Sequence, residues 1–186
     1  MKIFNDDLDD AAENGRTETV IELIEKGMNP NLADSRGRTP LHKAAMWGHT
    51  KTVVALIKCG ANAGAKNELG ETALHVAAEY DQVETVEALL KIRPIIVNRR
   101  DIGGNTALMW AAENGFAETV KVLIERGADV NIQNDYGCTA LEWAGSEEVK
   151  KIIENADQIR AGYLVKHPRK VARRKAKKSQ NSRQYE

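Results

Sequence analysis

Among the side chains of this 186-residue chain that could act as general bases, metal ligands or nucleophiles, the histidines and cysteines are the few of their kind: His42, His49, His75 and His167, with Cys59 and Cys138. Chemistry would require them to converge with a partner, and their spacing argues otherwise. His42 and His75 sit in matching segments, Thr39-Pro40-Leu41-His42 and Thr72-Ala73-Leu74-His75, so one structural job is read as being done twice. His49 follows Gly48, and His167 lies in a basic stretch. The cysteines stand 79 positions apart, which suits neither a zinc-ligand pair nor a disulfide framework, and both are expected to be reduced. The chain has no Gly-x-x-x-x-Gly-Lys-Ser/Thr phosphate loop, no His-Glu-x-x-His, no Gly-x-Gly-x-x-Gly after a strand and no Gly-x-Ser-x-Gly. The expectation is a protein that is not an enzyme, with no catalytic residues, no metal and no cofactor.

The elements that carry these residues repeat. Gly37-Arg38-Thr39-Pro40-Leu41-His42-Lys43-Ala44-Ala45 is echoed from Gly70, Gly104 and Gly137, and the threonines fall at 39, 72, 106 and 139, spaced by 33, 34 and 33. A second echo runs in phase: Glu18-Thr19-Val20, Lys51-Thr52-Val53, Glu84-Thr85-Val86 and Glu118-Thr119-Val120 each open an apolar i, i+3, i+4 stripe such as Val120, Leu123 and Ile124. That period marks a helix with one buried face. Gly27, Gly60 and Gly127 follow these helices as stops, because glycine takes the left-handed C-cap conformation without a steric penalty. Each unit therefore reads as turn, short helix, tight link, longer helix and glycine stop. The threonine hydroxyl is expected to satisfy a free N–H at the entry to the short helix, worth about 1 kcal/mol. Paired alanines, such as Ala44-Ala45 and Ala77-Ala78, let neighbouring helices approach closely. One such unit cannot bury its apolar face alone, and about three must stack to close a core.

A Gly-x-Thr-Pro-Leu-His-x-Ala-Ala motif recurring every 33 residues resembles the ankyrin repeat, over about residues 6 to 156. The resemblance implies an all-α, right-handed solenoid of helix-turn-helix units with projecting hairpin-like turns, usually a protein-binding scaffold. Five units are expected, at about 1–33, 34–66, 67–100, 101–133 and 134–156, in a domain over 1–159 followed by a basic, disordered tail over 160–186. The first helix, from Asp6 to Asn14, is acidic, as a solvent-facing cap requires, and the last unit is truncated with a short second helix from Glu147 to Asn155.

Departures from the pattern locate irregular geometry. Ala73, Ala107 and Ala140 replace Pro40, and Met109 and Glu142 replace the histidine, so the turn hydrogen bonds of the last units must differ. The stretch from Ile92 to Arg100 lacks the glycine stop and carries the extra residue, which predicts a local bulge. Asp81 stands where Gly15, Gly48 and Gly115 stand, in a left-handed position that Asp tolerates.

Recognition is written where exposed residues vary on a fixed scaffold. By the resemblance, the turn candidates are Arg36, Arg38, Leu69, Glu71, Ile102, Asn105 and Tyr136. The candidates on the first helices are Met46, Trp47, Glu79, Tyr80, Glu113 and Asn114. Trp47 and Tyr80 occupy equivalent positions and could form an aromatic ridge; aromatic, Met and Arg residues are enriched in interface centres. The competing reading packs Trp47 over the next unit. Trp110 and Trp143 take the position of Val76 and are expected in the core.

The zero net charge hides a polarity. Residues 1–159 hold 17 basic and 26 acidic residues, a balance of −9, whereas 160–186 hold 10 basic residues and only Glu186, a balance of +9. The tail cations are Arg169, Lys170, Arg173, Arg174, Lys175, Lys177 and Lys178. Too few apolar residues accompany them to build a core. Several roles stay open: a nuclear-import signal, a contact with nucleic acid or an anionic membrane, a secretion signal of a bacterial effector, a fold-back onto the acidic body, or a solvated tail. The expected function is an adaptor or inhibitor that binds a protein partner; the alternative is an electrostatic module acting through the tail. A monomer is expected. No segment of about 18 apolar residues and no secretory leader is found, so a cytoplasmic protein is expected, with a nuclear or host-cell location the alternative raised by the tail.

Overall fold

The computed structural model describes residues 3–166, with side chains from Leu8 onward and that of Ile95 excepted. The tail cations from Arg169 to Lys178 lie outside the described residues. Four helical hairpins form first: α1 (Ile3–Glu13) with α2 (Thr17–Glu25), α3 (Pro40–Met46) with α4 (Thr50–Lys58), α5 (Ala73–Glu79) with α6 (Val83–Ile92), and α7 (Ala107–Glu113) with α8 (Ala117–Glu125). They are followed by α9 (Glu147–Glu154) and α10 (Ala156–Lys166). The short helices stack in an inner row, α1 on α3 on α5 on α7, and the longer ones in an outer row, α2 on α4 on α6 on α8 on α9.

The repeat sequence explains this stack. Ala44, Ala45, Ala77, Ala78, Ala111 and Ala112 are fully buried between inner helices, and Leu41, Leu74 and Leu108 fill one layer at equal repeat positions. Val53, Val86 and Val120 do the same for the outer row. Each layer is apolar only where a neighbour covers it, which makes the hairpins interdependent.

Glycines end the outer helices as expected: Gly27, Gly60 and Gly127 have φ of +98°, +94° and +101°. Asp81 is left-handed too, at φ +53°, and its carboxylate accepts a hydrogen bond from the Thr119 hydroxyl at 2.6 Å. Thr17 pairs with Thr52 and Thr50 with Thr85 at 2.8 Å in the preceding links, so Asp81 restores a tie that Val83, standing in place of a threonine, cannot make. The expected irregularity between units three and four is a 3-10 turn over Pro94–Ile96, where proline opens the turn and no glycine stop exists.

Two expectations need correction. The truncation of the last unit falls on its first helix, where residues 140–143 form only a turn. From Thr39, Thr72 and Thr106 to the next outer helix is 11 residues, but from Thr139 to Glu147 it is 8, nearly one helical turn fewer. The chain instead crosses at Gly145, whose N–H donates to the Ala112 carbonyl at 2.9 Å, and Ser146 caps α9 by accepting from the Val149 N–H. The second correction is the boundary at 159/160. It falls inside α10, so residues 160–166 are helical: Tyr163 is buried, the Arg126 guanidinium lies 5.6 Å over its ring, and α10 packs on α8.

Candidate docking groove

The turns that carry half of the candidate residues are built by one repeated device. Asp34, Asn67, Asp101 and Asn134 each use a side-chain oxygen to accept two backbone N–H groups, two and four residues further on. The backbone closes over the same four residues, with Asp34 N–H to Arg38 O, Asn67 to Glu71, Asp101 to Asn105 and Asn134 to Cys138 at 2.9 to 3.0 Å. Successive turns are stitched together by Glu68 N–H to Arg36 O, Ile102 to Leu69 and Asp135 to Gly103. This ladder holds the tips rigidly in line.

His42 and His75 brace the turns from below. The Nε2 of His42 reaches the Glu71 carbonyl at 3.0 Å, so it must carry the proton, and Nδ1 accepts from the Thr39 backbone N–H at 3.1 Å. The Thr39 hydroxyl lies 2.9 Å from that nitrogen, and the Thr39 side chain also takes the His42 backbone N–H in a capping box, the helix-entry role expected from sequence. His75 repeats the arrangement with Thr72, and its Nε2 meets the Arg99 and Asn105 carbonyls. Burial pushes both rings below the usual imidazole pKa, outweighing the carbonyls and carboxylates that favour the proton. They are neutral cross-braces between units.

Where methionine replaces histidine the bracing changes, as the pattern implied. Met109 is fully buried, and the tie to the following turn runs from Asn134 Nδ2 to Asn105 Oδ1 at 2.9 Å. Glu142 occupies the position in the last unit and accepts from Thr139 N–H and hydroxyl, which hold its carboxyl below the usual range.

Between the second and third units, the turns and inner helices enclose a groove of about 370 Å³. Seven sequence candidates line it: Arg36, Arg38, Leu69 and Glu71 from the turns, with Met46, Glu79 and Tyr80 from α3 and α5. Trp47 and Tyr80 are the C-cap residues of α3 and α5, which places their rings beyond the packed helix body; they are 57% and 47% exposed. Trp47 stands outside the groove lining, beside it in sequence from Met46. Leu69, Ile102 and Tyr136 are exposed on the turns, and Glu113 and Asn114 on the inner face of α7.

Glu71 and Asn105 differ from the expectation of exposed contact residues. They are only 8% and 6% exposed, because their side chains close the turns: Asn67 Nδ2 donates to Glu71, and Asn105 bonds Asp101 and Asn134. Trp110 and Trp143 are half-buried where a full core place was expected. They meet edge to face at 6.1 Å, and the Trp110 indole N–H donates to Asp101 at 3.1 Å. Each takes the site of Val76, so the floor is low at the third unit and raised by indoles in the next two.

The groove's charges divide. Arg38 and Lys43 both bind Asp34, and Lys43 also binds Asp9 at 2.7 Å. Burial works to raise the Asp34 carboxyl, but the N–H groups of Arg38 and Arg36 and the Arg38 guanidinium outweigh it and hold it at about 2. Sequence reasoning missed Lys43, Val76 and this network; Lys43 at the Val76 position was the available signal. Glu79 is half-buried, and burial first, then the neighbouring Glu71 and Glu113, raise its pKa. Among the described residues no three His, Cys, Asp or Glu side chains converge as a metal site, and both cysteines are free.

A row of rigid turns above an inner helical face, with variable side chains at equal repeat positions, defines a solenoid scaffold. Family models for ankyrin repeats match residues 8–101, as three copies, and residues 89–144. The chain belongs to the ankyrin repeat family, whose members generally mediate protein–protein interaction. No curated protein matches it.

Proposed function

We propose that this protein is a non-catalytic adaptor or inhibitor that docks a protein partner across the turns and inner helices of its second and third units. The observation that carries this is the groove, where Met46, Leu69 and Tyr80 present apolar and aromatic surface above a floor that includes the buried Val76, on a frame that needs little reordering to bind. Aromatic and arginine side chains on such a frame are the usual holders of binding energy. Tyr80 lines the groove, Trp47 follows the lining residue Met46 in the chain, and neither is in the hydrophobic core.

Partner capture by the full chain tests it. Changing Trp47 and Tyr80 together to Ala should weaken capture by about 30-fold or more, roughly 2 kcal/mol, without loss of helicity. Undiminished capture by a helical double variant would remove the groove from the binding site.

A further inference from the structure

The groove and the helix face beyond it change in character from one unit to the next. The lining sets Glu68, Glu71 and Glu79 against Arg36, Arg38 and Lys43, but Asp34 and Asp9 already hold Arg38 and Lys43 as ion pairs, which leaves Arg36 against the three glutamates. The repeat position that follows each buried alanine pair runs Glu13, Met46, Glu79 and Glu113 along the inner row. Met46 therefore makes this stripe apolar at the second unit, and Glu79 and Glu113 make it acidic at the third and fourth. Glu79 is half-buried, and the charged groups that act on it are both carboxylates, Glu71 and Glu113. Like charges held on a rigid face repel each other until a cation joins them.

We infer that the partner enters as an extended basic segment, with an apolar side chain settled on Met46 and Leu69 over the Val76 floor and a lysine or arginine held between Glu79 and Glu113. The inference rests on the groove being the docking surface proposed above, and it names the chemistry of what fills it. Size restricts the occupant first. About 370 Å³ lies at the small end of cavities that hold a ligand, so the groove takes side chains of a short segment and not a folded face. Spacing then sets the register. The groove lies between α3 and α5, the carboxylate pair stands on α5 and α7, and stacked helices are about 10 Å apart. An extended chain rises about 3.3 Å per residue, so cation and apolar residue stand about three positions apart in the partner. Charge decides the sign. A segment rich in Asp or Glu would meet Glu68, Glu79 and Glu113 as like charges, so the same face rejects acidic partners.

The test is a library of random peptides of about twelve residues, selected on the full chain at low salt. The enriched sequences should place Lys or Arg about three positions from Leu, Ile, Met or an aromatic residue. An enriched peptide, synthesised and titrated by fluorescence polarisation, should bind the E79Q/E113Q chain about tenfold more weakly or worse. It should bind the E84Q/E118Q chain, which loses the same two charges from the exposed face of α6 and α8, as tightly as the parent. Both double variants are compared at equal helicity, and binding to the parent should weaken as salt approaches about 1 M. Enriched sequences without a cation at that spacing overturn the inference, as do equal affinities for the two double variants or a selection that enriches nothing. Self-association of the peptide-free chain that E79Q/E113Q abolishes overturns it as well and assigns the carboxylate pair to a second copy. W47A/Y80A separates this inference from the docking reading. Peptides that need the aromatic pair but not the glutamates keep the docking groove and remove the basic segment; peptides that need the glutamates but not the aromatic pair keep the basic segment and remove those anchors.

Discussion

At the residue scale, His42 and His75, two of the histidines that first suggested chemistry, are braces, and their protonation state is a stability term. Both rings are held neutral, with pKa values pushed below the ordinary 6.5 by burial. The unfolded chain takes up a proton at each ring as the pH falls through about 6.5, and the folded chain does so only at lower pH. Stability is therefore fully present above that pH and declines below it, by up to about 1.4 kcal/mol per pH unit per ring, until the folded pKa is passed. Denaturant titrations between pH 7.5 and 5.5 should show the loss, and H42Q with H75Q should flatten the slope. A slope unchanged in that double variant would place the pH dependence elsewhere. Asp34 offers a second residue-scale prediction, because Asn67 and Asn134 do its backbone work in other turns. D34N should keep the turn and lose only the ion pairs with Arg38 and Lys43, about 1 kcal/mol, whereas D34A should lose the two accepted N–H bonds as well and cost about 2 to 3 kcal/mol. Equal melting temperatures for the two variants would contradict this.

At the scale of elements, helix positions, glycine stops, the left-handed Asp81 and the irregular link after α6 were legible because each follows from local pattern: apolar period, a missing Cβ or a proline. Turn closure by Glu71 and Asn105 was not legible, since exposure depends on which side chain folds under the tip and not on position in the repeat. The last unit was misread for a related reason. Its motif Gly-Cys-Thr-Ala-Leu looks intact, and only the spacing to Glu147 reveals that too few residues remain to close a helix. Gly145 is the hinge of that crossing, and a Cβ there would fall 2.2 Å from the Glu113 carbonyl oxygen. That atom is backbone at the end of α7 and cannot swing aside. G145A should therefore destabilise the chain by more than 1 kcal/mol and loosen the junction between α7 and α9. Hydrogen exchange should show faster exchange in α9 and α10 than in α3 to α6; uniform protection in the variant would mean that the junction relaxes without strain.

At the scale of the whole molecule, four similar hairpins and a last unit without its first helix produce one asymmetric surface. The scaffold was readable because its repeated residues obey one packing rule; the groove was only partly so, because it arises from a difference between units. Lys43 and Val76 sit where Trp110 and Trp143 stand further along, so an open groove lies between the second and third units while indoles meet edge to face over the later ones. Repeat position alone could not show that seven of the candidates line one groove, or that Trp47 is not among them. The central claim is that partners meet this inner face and not the outer helices. A photoreactive residue placed at position 69 or 80 of the full chain, and at 84 or 121 on the outer helices as controls, tests it most directly in cells that make the protein. Discrete covalent protein adducts from 69 and 80, absent from 84 and 121, are the predicted result. Adducts from the outer positions, or none from 69 and 80, would contradict it.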